Sequence, residues 1–338
     1  MSIRRHRALA LCLLAGTLAA LAGCEMVSHT RSTINPVSDF GWAIQNIYKQ
    51  IFWWCVGIFV VVETLLLVAI FRFRVREGSH ETPEQVHGHT NLEIAWTILP
   101  AVILVFIAVP TIRTIFAVAA PAPADAIRVT VTGQQWFWHI DYPDLGIRTA
   151  NEIHVPVGRP VEVSLHAADI IHSFWVPRLG GKRDVVPGRT NRQVFTVDKP
   201  GLYHGQCAEF CGTSHALMRF DLVAEDPASF DRWVAEQKSV PVPPTDAKLK
   251  TGATTFLTAG CIACHRIQGS PAQAQIGPDL THVASRVRIV SGILENTPEN
   301  MSRWISNPQA VKWDAKMPNL KLKSDQVEAL VSYLQSLQ

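Results

Sequence analysis

Two close cysteine pairs carry the chemistry of this 338-residue sequence. Cys261-Ile262-Ala263-Cys264-His265 has the C-x-x-C-H spacing of covalent c-type haem attachment, in which both thiols add to haem vinyl groups and the adjacent imidazole binds iron. The opposite axial position needs a soft or imidazole ligand further along. Met317, in Lys316-Met317-Pro318-Asn319, offers a thioether there, and a Met/His pair that fills both positions favours electron transfer. The plainer reading of Met317 is a core methionine. The other pair lies in Cys207-Ala208-Glu209-Phe210-Cys211-Gly212-Thr213-Ser214-His215-Ala216-Leu217-Met218. With His172 upstream, it gathers two thiols, two imidazoles and a thioether, a soft donor set that selects copper or zinc. Two Cys and two His could close a tetrahedral zinc site. Met218 favours copper, for which a thioether is a useful weak axial ligand.

These groups need positioning elements, and the sequence places them outside the cytoplasm. Arg4, Arg5 and Arg7 precede the short apolar run Ala8 to Ala22, which ends in Leu21-Ala22-Gly23-Cys24, the pattern of a secretory signal over residues 1–23. The Leu-Ala-Gly-Cys ending resembles a bacterial lipoprotein signal, which implies cleavage before Cys24 and a lipid on its thiol. An ordinary signal peptide with an incidental Cys24 is the simpler alternative. Cys12 leaves with the signal, and Cys55 sits in an apolar run where a small apolar role is the default. Two membrane helices are expected, Ile51 to Phe71 with the single charge Glu63 and Ile94 to Ile112 with no charge. Pro100 and Pro110 are tolerable in the second, where neighbouring helices can satisfy freed backbone groups. Arg72, Arg74 and Arg76 at the end of the first run make the connecting loop cytoplasmic, so both ends of the mature chain face outward.

The net charge is only +3 and no basic run is interleaved with aromatics, which speaks against a nucleic-acid partner. Hydrophobic residues make up 48% of the chain, and their excess before residue 120 assigns that part to membrane lipid. Short β-rich runs follow, Ile127 to Thr132, Val161 to Leu165 and Gln193 to Val197, separated by Gly and Pro turns as in a sandwich or barrel. A helix is expected over Ser229 to Gln237, then a stiff extended linker, Val240-Pro241-Val242-Pro243-Pro244. From about Thr245 a small helical domain holds the C-x-x-C-H motif and closes with a helix over Ser324 to Leu337, whose Val327, Leu330, Val331 and Leu334 recur at helical spacing. The domains expected are thus 24–120, 121–225, a 226–246 connector and 247–338.

His172 together with C-x-E-x-C-x-x-x-H-x-x-M resembles the dinuclear copper A centre of the cytochrome c oxidase subunit II family, and the segment from Cys261 resembles a class I cytochrome c. The resemblance implies a multi-domain membrane protein: a two-helix transmembrane hairpin, a cupredoxin-like all-β Greek-key sandwich and a small all-α cytochrome c domain. It also implies that Cys207 and Cys211 bridge two copper ions, that His172 and His215 each bind one, and that Met218 and the Glu209 carbonyl complete the set. The Glu209 carboxylate would reach a magnesium ion at the boundary with subunit I, a hard cation suited to oxygen. Bridging thiolates cannot also be a disulfide. Gly277-Pro278-Asp279-Leu280 matches the segment whose proline carbonyl orients the iron-bound histidine in that cytochrome family.

Two further stretches carry the same resemblance. In Gly133-Gln134-Gln135-Trp136-Phe137-Trp138, Trp136 corresponds to the family's electron-transfer tryptophan between incoming cytochrome and copper, while Phe137 and Trp138 read as core aromatics. Glu93, in Glu93-Ile94-Ala95-Trp96, corresponds to a glutamate at the mouth of a proton path; a solvated carboxylate at a helix end is its plainer reading. His80, His87 and His89 read as part of a solvated loop, and His139, His154, His166, His204 and His282 as structural. The implied partners are oxidase subunits I and III and an external cytochrome c or another periplasmic donor, at the bacterial inner membrane. The rivals are a copper A subunit of a membrane nitric oxide reductase and a non-catalytic periplasmic copper-binding lipoprotein. A stand-alone nitrous oxide reductase would lack the membrane helices, and quinol-oxidase relatives lack the copper ligands.

Overall fold

The computed structural model describes residues 16, 31–74, 78, 85 and 87–338. Apart from residue 16, the expected signal segment lies outside the described residues, as do Cys24, Arg76 and His80. Two long helices come first, α1 (Asp39–Arg72) and α2 (Thr90–Val118). At ~1.5 Å rise per residue each is longer than the ~30 Å that a bilayer core requires. Their surfaces leave Phe59, Leu65, Phe71, Leu99, Leu104 and Phe116 exposed, as lipid-facing helices do. Gln50 Nε2 donates to the Phe106 carbonyl at 3.0 Å and ties the pair together.

Helix α1 begins twelve residues before the apolar run Ile51 to Phe71. A hydropathy window sees only the lipid-facing run; the added turns are held by the soluble domain instead. Ser38 caps α1 by accepting from the Gly41 amide and donates to the Leu179 carbonyl at 2.6 Å. Asp39 accepts from Thr196 N and Phe40 is buried, so the membrane helix is pinned rigidly to the domain above it.

That domain is a sandwich of two five-stranded sheets. One has the order β3 (Ile147–Ala150), β2 (Phe137–Tyr142), β1 (Ile127–Gln134), β5 (Pro160–Ala167), β8 (Asn191–Thr196). The other runs β4 (Glu152–Pro156), β10 (Arg219–Glu225), β9 (Gly201–Cys207), β6 (His172–Trp175), β7 (Arg183–Val185). Pairings are antiparallel except β1 with β5 and β4 with β10, which makes the crossover connections of a Greek key. Alternation sets the inner faces: Val129 and Val131 on β1 and Val161, Val163 and Leu165 on β5 are all buried. Trp138 fills the centre, edge-on to His172 (5.9 Å), Phe174 (6.1 Å) and Phe220 (5.5 Å).

Helix α3 (Pro227–Lys238), N-capped by Asp226, closes the sandwich through buried Phe230 and Trp233. After an extended stretch the C-terminal unit has its own core and the helices α4 (Ala247–Thr258), α5 (Pro298–Ser306), α6 (Pro308–Val311) and α7 (Ser324–Leu334). It also carries the two-residue strands β11 (Arg288–Ile289) and β12 (Leu294–Glu295). Helices α4 and α7 cross so closely at Gly252 that a Cβ there would lie 2.1 Å from the Ala329 carbonyl oxygen. Backbone cannot yield as a side chain can, so Gly252→Ala is expected to destabilise this unit by about 1–3 kcal/mol while leaving the sandwich intact. Separate thermal transitions followed by haem absorbance and by sandwich tryptophan fluorescence check this.

Candidate metal centre and haem cavity

The copper-type donors converge where β6, β9 and the loop after β9 meet. His172 opens β6, Cys207 closes β9, and the short 3-10 turn His215–Leu217 brings His215 and Met218 back over Cys211. The two sulfurs are 3.7 Å apart, which is thiol contact and not a disulfide bond. His172 Nδ1 lies 3.9 Å from Cys207 Sγ, His215 Nδ1 3.5 Å from Cys211 Sγ, and Met218 Sδ 3.8 Å from Cys211 Sγ. Ligand atoms of His172, Cys207 and Cys211 all fall within 4.8 Å of one another, and all three side chains are buried. The Glu209 carbonyl is 3.3 Å from Cys207 Sγ, whereas its carboxylate turns outward to Lys182 Nζ at 3.1 Å.

Asp169 prepares this site, and sequence reasoning missed it. Its carboxylate is 2.8 Å from His172 Nε2 and accepts from the Gln135 amide at 2.7 Å. A carboxylate only accepts, so Nε2 carries the hydrogen and the Nδ1 lone pair faces the sulfurs. Burial opposes the Asp169 charge, but the hydrogen bonds from Gln135 and His172 outweigh it and hold the carboxyl below its usual range. The thiols share the same logic. The Cys211 thiol hydrogen-bonds to Cys207 and, despite burial, lowers its pKa, while the thiolate so formed raises that of Cys211. One thiolate is therefore preformed beside the imidazoles of His172 and His215 and the Met218 thioether, a donor set that fits copper.

The second site is a cavity of about 230 Å³ in the C-terminal unit, lined by Cys261, Cys264, His265, Pro278 and Met317 among others. The Pro278 carbonyl accepts from His265 Nδ1 at 2.8 Å, leaving Nε2 free to bind. Burial pushes the His265 pKa down, which keeps the ring neutral, as iron ligation requires. Gly277 is required by close approach, since a Cβ there would meet the imidazole at 2.8 Å. The residues present thus fit a covalently held haem.

The two sites share one wall. Trp136, in the two-residue turn between β1 and β2, is buried, and its indole N–H donates to the Cys211 carbonyl at 2.9 Å. Gln135 Nε2 donates to the same carbonyl at 2.8 Å. The other side of Trp136, with Phe137, lines the haem cavity, and Lys316 Nζ lies 4.9 Å above its ring. Lys312 is buried against the Trp136 carbonyl, and burial pushes its pKa down to about 7.

Similarity to known proteins follows the same division of the chain. Residues 38–114 match the family described as the transmembrane domain of cytochrome c oxidase subunit II, residues 146–225 its periplasmic domain, and residues 249–338 cytochrome c. Cytochrome c oxidase subunit 2 of Alkalihalophilus pseudofirmus is 40% identical over 284 residues, covering 82% of each chain. The chain belongs to the cytochrome c oxidase subunit II family. A second subunit 2, from Bacillus sp. strain PS3, is 36% identical and covers 78% of this chain and 80% of its own. The solved periplasmic domain of subunit II from Bradyrhizobium japonicum is 33% identical over 35% of this chain and 97% of its own, with a TM-score of 0.34. As a subunit II, the chain is part of a haem–copper oxidase, and its two soluble units imply copper A and a c-type haem.

The remaining expected residues do less. Glu93 sits in the first turn of α2, where its carboxylate accepts from the His89 amide at 3.2 Å while the His89 ring accepts from Leu92 N. The first of these bonds ties the Glu93 carboxylate to the start of α2. His204 pairs with Asp221 at 2.6 Å. His154 is held between Glu152 (2.9 Å) and Glu225 (3.1 Å) and stacks on Trp233 at 4.3 Å. The second Glu152 oxygen accepts from the Val287 amide of the C-terminal unit.

Burial disfavours the His154 imidazolium, but its hydrogen bonds to Glu152 and Glu225 outweigh that and raise the pKa above the ordinary value. The resulting stabilisation is fully present below the unfolded-state pKa of about 6.5 and is lost as pH rises through the higher folded value. Urea unfolding of the wild type is therefore expected to show stability falling with rising pH above neutrality. The His154→Gln variant should show a flatter profile.

Proposed function

We propose that this chain is the electron-accepting subunit of a proton-pumping haem–copper oxidase. It receives electrons from an external cytochrome c at its C-terminal unit and delivers them through the copper domain to subunit I, where oxygen is reduced to water. The observation that carries this reading is Trp136, which bonds to the copper loop on one side and walls the haem cavity on the other. Bound haem and copper would supply one-electron redox chemistry that no side chain here offers.

The chain's own residues do the holding and the orienting. Cys261 and Cys264 would carry the haem, with His265 and Met317 as axial ligands. Cys207, Cys211, His172, His215, Met218 and the Glu209 carbonyl would hold two copper ions, with Asp169 fixing the His172 ring. For the Glu209 carboxylate to reach magnesium at the subunit I boundary it must give up Lys182, an exposed pair whose loss costs little. Arg72 and Arg74 at the end of α1 support a cytoplasmic loop, and hence soluble units on the outer face of a bacterial inner membrane. Subunit III completes the proposed complex.

Metal and haem analysis of the purified complex is expected to give two copper ions and one covalent haem per chain. Cys211→Ala should remove the copper and spare the haem, and Cys264→Ala should spare the copper. Copper at or below one per wild-type chain would contradict the reading. Oxygen uptake by the complex, set against nitric oxide turnover, distinguishes the oxidase from its nearest rival.

A further inference from the structure

Among the contacts between the C-terminal unit and the sandwich, one turn and one lysine converge on the Trp136 carbonyl. Between β11 and β12 the backbone of Val290 and Ser291 lies at φ 54° and 56°, in the left-handed region that is costly for a β-branched residue. Such a conformation persists only where the surroundings enforce it. Here it aims Ser291 at the neighbouring unit: its hydroxyl donates to the Trp136 carbonyl at 2.9 Å, and its own carbonyl accepts from the Arg219 amide at 3.2 Å. Gly292 allows the approach, since a Cβ there would lie 3.3 Å from Phe220 N.

Lys312, which follows α6, donates from Nζ to the same Trp136 carbonyl and to Ser291 Oγ at 2.8 Å. It is 4% exposed, and among the described residues no carboxylate forms an ion pair with it. Burying a lysine amine among uncharged partners is expensive in either protonation state, so a merely apolar seam would be better served by methionine or leucine. What the lysine adds is direction, because its hydrogen bonds are made only when the turn and Trp136 are in register.

We propose that Lys312 is a positioning residue: with Ser291, it latches the cytochrome unit onto the Trp136 carbonyl and so fixes the wall shared by the two cofactor sites. This rests on the relay reading above and adds the group that keeps the relay's two halves together. The latch makes its hydrogen bonds to the Trp136 carbonyl and Ser291 and to none of the ligand atoms. Its loss frees the seam while leaving both sites folded.

The test uses the full chain in its complex, comparing wild type with Lys312→Met and Ser291→Ala. Amide hydrogen exchange across 287–292 is expected to quicken about tenfold in Lys312→Met, because two buried hydrogen bonds from one donor are lost. Exchange in Ser324–Leu334 should be unchanged, showing that the cytochrome core stays folded. Flash reduction of the haem is expected to show electron transfer to the copper pair slowed by a similar factor. In that step ferrous haem loses one electron and the oxidised copper pair gains it, with no bond or proton change. Equal seam protection and equal transfer rates in wild type and Lys312→Met overturn the latch alone. If Lys312→Met unfolds the unit, Ser291→Ala decides: faster exchange at 287–292 supports the latch, and wild-type exchange overturns it. A wild-type complex that passes no electron from haem to copper overturns the relay and the latch with it.

Discussion

Trp136 is held from both directions, through its indole and through its backbone carbonyl, by atoms that belong to different functional units. Its indole N–H is taken by the Cys211 carbonyl, in the middle of the thiol loop, and its carbonyl by Lys312 and Ser291 from the cytochrome unit. A residue anchored in this way cannot move relative to either site without breaking hydrogen bonds that are out of reach of water. Electron transfer needs little chemistry from the protein but strict control of separation and packing. In the proposed relay the fold would supply that control at this one residue. The strained turn at Val290 and Ser291, the glycine at 292 and the buried lysine all become intelligible as costs of keeping that contact.

A second level of rigidity lies beneath the donors. His172 rests on Trp138 and is oriented by Asp169, which also fixes the Gln135 amide next to Trp136. One carboxylate thus ties a ligand imidazole to the shared wall, so the geometry of the copper loop and that of the haem cavity are set by a continuous chain of contacts. The same sandwich grips the start of α1 through Ser38, Asp39 and Phe40. The site is therefore held at a fixed height above the apolar helices, as delivery to a membrane-embedded partner demands.

The parts legible in the sequence were those encoded over short spans. Cys261 to His265 and Cys207 to Met218 are each contiguous, so their donors had to meet whatever the rest of the fold did. The inner faces of β1 and β5 could be read from alternation, and Trp138 from its aromatic neighbours. The parts that could not be read depend on distant pairings. Lys312 lies 176 residues from Trp136 and Ser291 lies 155, and neither carries a motif. Asp169 left only a faint trace, an acid three residues before a candidate ligand histidine. The start of α1 at Asp39 was hidden because its extra turns are polar enough to fail a membrane window and are stabilised by the sandwich. His154 was read as structural, and its tie through Glu152 to Val287 required the docked unit to be seen.

The central claim is that two redox sites face each other across Trp136. It is tested most directly by locating copper and iron in the intact complex by anomalous scattering at their respective absorption edges. The account predicts copper density enclosed by Cys207, Cys211, His172, His215 and Met218, and iron between His265 and Met317, with the Trp136 indole between the two metals. Iron found away from the Trp136 wall, or Cys207 and Cys211 joined as cystine with no copper beside them, would contradict it.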